Sequence, residues 1–173
     1  MEEKDHSTTQ VGPREGRLLW VLGELVTRKV ASEQTGGAYS LFEVVSQPQG
    51  GSPSLIQHRE DEAFYVLEGE YEFLVEGRTL RMPAGSLLYV PKGCLHAHKN
   101  VGEGTGRMLV SQTPGGLHER FFEDLGKPAG DTSTPGPEEP PNVQRTVTIA
   151  AKYGIEISPL SKEGSGDGKE TQG

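Results

Sequence analysis

Two short stretches of the chain carry side chains that could do chemistry inside a folded protein. Residues 54–70, SLIQHREDEAFYVLEGE, place Glu62 among alternating apolar residues. Residues 85–100, GSLLYVPKGCLHAHKN, place His96 two positions before His98. A carboxylate and a neutral imidazole can hold a divalent metal, and the same two groups are common general acids and bases.

The second stretch has a specific spacing of glycine, proline, histidine and asparagine. Gly85, Pro91, Gly93, His96 and Asn100 follow G-x5-P-x-G-x2-H-x3-N, which resembles the second motif of the cupin superfamily. The glycine permits a turn before a strand, and the proline with the next glycine reverses the chain. We therefore expect the histidine to point inward from the following strand.

The first stretch resembles the end of the first cupin motif, G-x5-H-x-H-x3,4-E-x6-G. Glu62 and Gly69 match, with six residues between them. With four residues before the glutamate, which is the favoured alignment, the two histidine positions hold Leu55 and Gln57. The usual cupin metal ligands are three imidazoles and one carboxylate. In this alignment only the His96 imidazole and the Glu62 carboxylate remain.

Two alternatives restore a metal site. Alignment with three residues before Glu62 gives a triad of His58, Glu62 and His96, an arrangement that suits non-haem iron. Alternatively His98 contributes, because it shares a strand face with His96. The cofactor is accordingly a divalent metal (Fe, Mn, Ni, Co or Zn) or none.

The resemblance extends beyond the two motifs. The stretches PGGLHERFFEDLG (114–126) and AAKYGIEISP (150–159) are similar to the tails of small single-domain cupins of the quercetin 2,3-dioxygenase type, so that it covers about residues 17–160. The resemblance implies an all-β fold, a double-stranded β-helix or jelly-roll barrel. It also implies a metal-dependent dioxygenase that acts on an aromatic compound.

Composition narrows the classes of function. The net charge is −8 and would repel nucleic acid and anionic membranes. No apolar run approaches the roughly 18 residues that span a bilayer, and the N-terminus has no hydrophobic signal region. The single Cys94 cannot form an internal disulfide and fits a reducing, cytoplasmic location.

The organisation follows from turn residues and periodicity. Gly and Pro together number 36, because 24 Gly and 12 Pro are present, and they separate seven or eight short strands. We expect a flexible segment at 1–15, a cupin barrel at 16–116, a helical extension with a Pro-rich linker at 117–160 and a disordered tail at 161–173.

The residues after Gly116 predict two short helices on the outside of the barrel. In the first, Leu117, Phe121 and Leu125 recur four apart and form an apolar face. Asn142 is placed to cap the second helix. The apolar face of that second helix is predicted to consist of Val143, Val147 and Ala151.

The candidate site residues follow from these alignments. His96 and Glu62 are the catalytic candidates. If Glu62 points inward, the strand period turns Phe64 inward and Tyr65 outward. His118 lies outside the predicted barrel and receives no role. The substrate-binding candidates are Leu55, Gln57, Phe64, Phe73 and His98.

Three classes of function remain open. The first is a quercetinase-like dioxygenase for an aromatic or polyketide-like compound, in secondary metabolism. The second is a metal-independent cyclase, isomerase or dehydratase that uses His96 and Glu62 in the same pocket. The third is a non-catalytic ligand-binding cupin. The expected partner is a small molecule, and a homodimer through residues 16–30 is expected because edge strands pair readily.

Overall fold

The computed structural model describes residues 7–130 and 140–158. The predicted tail at 161–173 and most of the Pro-rich linker lie outside the described residues. The strands are β1 (Arg17–Val21), β2 (Glu24–Val30), β3 (Ser40–Ser46), β4 (Leu55–Gln57), β5 (Asp61–Glu68), β6 (Glu70–Val75), β7 (Arg78–Pro83), β8 (Leu87–Val90), β9 (Leu95–Asn100), β10 (Gly106–Thr113), β11 (Lys127–Pro128) and β12 (Ile155–Ile157). The helices are α1 (Leu117–Leu125) and α2 (Val143–Lys152), with a 3-10 turn at Ser32–Thr35.

The strands form two antiparallel sheets. One has the order β11-β1-β2-β3-β10-β5-β8, and the other has the order β12-β4-β9-β6-β7. The core lies between them, where the rings of Phe64 on β5 and Phe73 on β6 meet with centroids 5.0 Å apart. The predicted all-β jelly-roll barrel with short C-terminal helices is confirmed.

The two-residue period of the strands sets which side chains enter the barrel. On β5, Glu62 and Phe64 are buried while Tyr65 is 41% exposed, which confirms the predicted alternation. On β9 the same period buries His96 and His98. Because β5 and β9 belong to different sheets, a carboxylate and two imidazoles are directed into one interior.

Helix α1 follows the prediction closely. Phe121 and Leu125 are buried, and Gly126 ends the helix by donating its N–H to the Phe122 carbonyl. The helix begins at Gly116, which has no side chain to cap the first turn. The N–H groups of that first turn must therefore find acceptors elsewhere in the molecule.

Helix α2 is capped by Asn142 as predicted, because the Asn142 side chain accepts the Arg145 N–H. Its predicted apolar face was wrong: Val143 is 70% exposed and Val147 is also exposed. The buried face instead consists of Thr146, Ile149 and Ala150. This face carries the largest apolar side chain of the helix, and the Thr146 hydroxyl is satisfied by the Asn142 carbonyl.

The chain after α2 returns to the barrel. Strand β12 pairs with β4, with Ile155 opposite Gln57 and Ile157 opposite Leu55. The C-terminal extension thus supplies the last strand of the second sheet, beside the first of the two sequence motifs. No helix in the described part of the chain has the length and apolarity needed to cross a membrane.

Replacing Phe73 by alanine tests the core. The ring is fully buried between the sheets, so Phe73→Ala should lower the free energy of unfolding by about 3–5 kcal/mol. Leu74→Ala is the matched control on the same strand, because Leu74 is 39% exposed and should cost less than about 1 kcal/mol. Urea titration followed by circular dichroism measures both. Equal losses in the two variants would contradict this packing.

Candidate functional site

A small cavity lies between the two sheets. Its volume is about 70 Å³, and most of its wall is apolar, including Leu55, Phe64 and Phe121. Such a lining excludes water and strengthens any electrostatic interaction inside it. The polar residues that line this inner cavity are Glu24, Ser52, Glu62, His96, His98, Gln112 and His118.

The structure brings the two catalytic candidates together in this inner cavity. Nε2 of His96 lies 2.8 Å from Oε2 of Glu62, and the two side chains are 4% and 5% exposed. Nδ1 of His96 lies 3.0 Å from the Cys94 carbonyl, to which it must donate. If Nε2 carried no proton, its lone pair would face the negatively charged carboxylate. The contact therefore favours an imidazole ring with a proton on both nitrogens.

The two carboxylate oxygens of Glu62 have different neighbours. Oε2 has Nε2 of His96 as its close partner, at 2.8 Å. The other oxygen, Oε1, accepts from Nε2 of Gln112 at 3.4 Å. An ionised carboxylate oxygen has more than one lone pair, so Oε2 can also accept a hydrogen bond or a proton from a molecule in the cavity.

Sequence analysis missed His118, which belongs to this site. Its side chain is 4% exposed, and its Nε2 lies 3.5 Å from Oε1 of Glu62. It reaches the inner cavity from the first turn of α1, far from both motifs in the sequence. The prediction that His118 has no role at the site is therefore corrected. The only sequence signal was its position in the first turn of a predicted helix.

Glu60 holds His118 in place and completes helix α1. Its Oε2 lies 2.6 Å from Nδ1 of His118, and its two oxygens accept the N–H groups of Leu117 and His118 at 2.8 and 3.2 Å. A carboxylate thus replaces the cap that Gly116 lacks, at the helix end where an anion is favoured. Sequence analysis gave Glu60 no role.

Gln57 supports this arrangement from β4. It is 1% exposed and donates its amide N–H to Oε2 of Glu60 at 3.1 Å. Gln57 does not line the inner cavity, so its predicted role in substrate binding is corrected to one of positioning. Phe73 is corrected in the same way, because the alternation of β6 directs its ring into the core rather than to the cavity wall.

The pKa values of these groups are set by burial and by one another. Burial raises the pKa of Glu62, but His118 and His96 outweigh it and bring the pKa down to about 2. Burial lowers the pKa of His96 and of His118, and the nearby carboxylates outweigh it, so that both pKa values lie above the ordinary 6.5. The site therefore favours an ionised Glu62 between protonated imidazoles.

His98 forms a second buried pair in the wall of the inner cavity. Its Nε2 lies 3.0 Å from Oε1 of Glu24, which also accepts the Ser46 hydroxyl. Tyr71 donates to Ser46 at 3.0 Å. Burial raises the pKa of Tyr71 to about 12, so that the phenol keeps its proton. His98, like Leu55 and Phe64, is placed where the sequence predicted, on the cavity wall.

His58 is not part of the site. It lies in a bend after β4, is 49% exposed and contacts Glu156 at 3.0 Å. The triad of His58, Glu62 and His96 therefore does not form, because the chain turns His58 away from the barrel interior. This geometry agrees with the four-residue alignment, in which His58 is not a ligand.

The donor atoms can be compared with the metal centre that the resemblance implies. Leu55 offers no donor, and Gln57 is engaged with its neighbours outside the inner cavity. Glu62 and His96 thus lack two imidazoles of the four-ligand set. His118 brings one imidazole, but within the described part of the chain no three His, Cys, Asp or Glu side chains are arranged as metal ligands. The residues do not fit that metal centre.

Comparison with known proteins agrees with the fold and the motifs. Residues 42–111 match the family model described as a cupin domain. The chain is 29% identical over 109 residues, 61% of its length, to quercetin 2,3-dioxygenase of Bacillus subtilis strain 168, and the match spans 31% of that relative's length. The chain therefore resembles the cupins, and among them the quercetinase-like cupins.

Solved structures show the same fold at low identity. The polyketide cyclase RemF of Streptomyces resistomycificus is 20% identical with a TM-score of 0.54, over 62% of this chain and 80% of that chain. A predicted oxalate decarboxylase of Thermotoga maritima is 20% identical with a TM-score of 0.50, over 53% of this chain and 80% of that chain. These similarities concern the fold alone.

The ionised site should make stability depend on pH in both directions. The low pKa of Glu62 stabilises the fold above about pH 4.5, and this contribution is lost as the pH falls towards 2. The raised pKa values of His96 and His118 stabilise the fold below 6.5, and that contribution is lost as the pH rises through them. We expect the highest melting temperature between about pH 4.5 and 6.5 by scanning calorimetry. A melting temperature that rises from pH 6.5 to 9 would contradict these directions.

Removal of His118 should leave the buried carboxylate of Glu60 without its imidazole. His118→Ala should lower the free energy of unfolding by about 3–5 kcal/mol, because an unpaired buried charge remains. His58→Ala is the matched control: its pair with Glu156 is exposed, and its loss should cost less than about 1 kcal/mol. Chemical unfolding at pH 6 measures both variants. A His118→Ala protein as stable as His58→Ala would rule out this pairing.

Proposed function

We propose that the chain is a small-molecule enzyme in which His96 and Glu62 perform metal-independent acid–base chemistry. The observation that supports it best is the buried contact of 2.8 Å between Nε2 of His96 and Oε2 of Glu62. Both groups line a cavity of mostly apolar character. The substrate is an aromatic or polyketide-like compound with a carbonyl or hydroxyl group, and the reaction is an isomerisation, cyclisation or dehydration.

His96 is the proton donor in this proposal. Its pKa is raised by Glu62 against the effect of burial, so that the imidazolium is available near neutral pH. The imidazolium donates its Nε2 proton to a carbonyl oxygen as negative charge develops there. The Cys94 carbonyl keeps the ring in the required orientation through Nδ1.

Glu62 is the proton acceptor, and its basicity changes during the reaction. A carboxylate with a pKa of about 2 is a weak base while both imidazoles are charged. When His96 transfers its proton, one of the positive charges that lower the pKa disappears, and the pKa of Glu62 rises. The carboxylate becomes a better base at the moment when a proton on the substrate carbon must be removed. His118 and Glu60 stay in place and hold the carboxylate.

Oxygenation is the second candidate function. It is supported by the 29% identity to the quercetin 2,3-dioxygenase of B. subtilis, whose length the match covers only in part. This function needs a metal, and the donor set described above does not make up the four ligands even with the imidazole of His118. Metal bound in stoichiometric amount to protein purified without nickel resin, together with oxygen uptake, would favour it. The homodimer and the cytoplasmic location stay predictions.

Hydrogen–deuterium exchange at a carbon next to a carbonyl tests the proposed chemistry directly. We expect chelator-treated protein to catalyse deuterium incorporation into cyclopentanone in heavy water, followed by proton NMR. His96→Ala should reduce the catalysed rate by about 10²–10⁴-fold, because general acid catalysis is lost. The exposed histidine provides the control variant, and His58→Ala should retain the full rate.

Two results would count against the proposal. If the wild-type protein catalyses exchange no faster than His96→Ala does, the acid–base function is ruled out. A non-catalytic ligand-binding protein would then remain as the explanation. Exchange that is abolished by chelator and restored by added iron, manganese, nickel or cobalt would instead support a metal-dependent reaction.

A further inference from the structure

A wider groove lies on the surface directly outside the inner cavity. Its volume is about 320 Å³. We call this space the outer groove. The residues that line both the inner cavity and the outer groove are Leu22, Ser52, Pro53, His98 and Ile157. The two spaces are therefore separated only by a thin layer of side chains.

Leu22 is the residue of this layer with an unusual backbone. It lies in the turn between β1 and β2 with φ of 51°, and Gly23 follows with φ of 86°. A tight turn with two positive φ values favours Asn-Gly, and a leucine at its first position is strained. Backbone strain of this kind is found where the side chain has a function. The Leu22 side chain is half-buried against the core and borders both spaces.

Size indicates that the substrate needs both spaces. Pockets for drug-sized ligands span roughly 300–1,000 Å³. The inner cavity, at about 70 Å³, is far below that range, whereas the outer groove is within it. The outer groove holds no catalytic pair, and the inner cavity is too small for two fused rings. A molecule of two or more rings can react at His96 only if its body lies in the outer groove.

Helix α2 provides an independent observation. Val143 is 70% exposed, although it lies at the start of an amphipathic helix, and it lines the outer groove. Val147, one turn later and also exposed, does not line it. An apolar side chain at Val143 is therefore suited to contact with an apolar ligand, beside Pro141 and Ile157.

We propose that the substrate spans the two spaces, with Leu22 as the gate between them. The carbonyl-bearing end enters the inner cavity and meets His96 and Glu62, while an apolar body of at least two rings lies in the outer groove against Val143. The substrate class is thus a fused-ring or multi-ring ketone with its reactive group at one end. The placement of the substrate's reactive end rests on the proposed function, whereas the placement of its apolar body rests on the outer groove alone.

The first experiment compares a one-ring and a two-ring ketone. Wild-type protein should exchange 1-tetralone with a kcat/KM at least about tenfold above that for cyclopentanone, because the second ring gains contacts in the outer groove. Val143→Asn should lower kcat/KM for 1-tetralone about fivefold and leave cyclopentanone unchanged. Val147→Asn is the matched control on the same helix and should change neither value.

The second experiment distinguishes the effect of the Leu22 side chain on substrate choice from its effect on the stability of the turn. Leu22→Asn places a residue favoured at this turn, so the melting temperature should stay equal or rise. The ratio of kcat/KM for 1-tetralone to that for cyclopentanone should fall about tenfold, because the contact at the gate is lost. An unchanged ratio in both Leu22→Asn and Val143→Asn, with exchange of cyclopentanone intact, would overturn the gate and leave the proposed function standing.

A binding measurement tests the groove without turnover. The Kd of 2-naphthol, a two-ring phenol, is obtained from NMR titration of chelator-treated protein. It should rise about fivefold in Val143→Asn and remain unchanged in Val147→Asn. If neither ketone exchanges but the Kd still rises only in Val143→Asn, the outer groove is supported as a binding site and the acid–base function is ruled out. Equal Kd values in wild type and Val143→Asn overturn the groove.

Discussion

The burial of two carboxylates, Glu60 and Glu62, is the constraint on which the rest of this structure depends. Both lie almost entirely out of water, in a barrel whose interior is otherwise largely apolar. A buried carboxylate destabilises a fold unless it is paired and hydrogen-bonded. One strand of the barrel supplies His96, and helix α1 supplies His118 together with the N–H groups of its first turn. The helical extension is thus part of the site.

This arrangement explains how a barrel without the usual first-motif histidines can remain organised. Leu55 contributes apolar wall at one of the two positions, and Gln57 supports Glu60 at the other. The second imidazole is that of His118 on α1. Glu60 caps this helix and also orients the His118 ring. The result is an alternating row of carboxylates and imidazoles, which is suited to moving protons between neighbouring groups.

The sequence was sufficient for those parts of the site that depend on local pattern. The period of two along β5 placed Glu62 inside and Tyr65 outside, and the glycine and proline spacing placed His96. The partners of these residues depend on tertiary packing. His118 meets Glu60 across 58 positions of the chain, and Glu24 meets His98 across 74. No local spacing encodes such contacts, so Glu60, His118 and Glu24 were not assigned to the site.

Helix α2 shows a different limit of sequence analysis. Its β-branched and small residues allow more than one apolar stripe, and periodicity selected Val143 and Val147. The structure buries Ile149 instead, because α2 packs against α1 and the strand that follows it. Local pattern thus predicts that a helix forms and where it is capped, while the surface available to it decides which face is buried.

The return of the chain to pair β12 with β4 has a consequence for synthesis on the ribosome. The segment from β1 to β10 emerges first and already contains Glu60, Glu62 and His96, but α1 and β12 emerge later. Until then Glu60 lacks its helix, and the edge of β4 lacks its neighbour. The nascent barrel therefore passes through a stage with an open edge at β4 and with the carboxylate of Glu60 still unpaired.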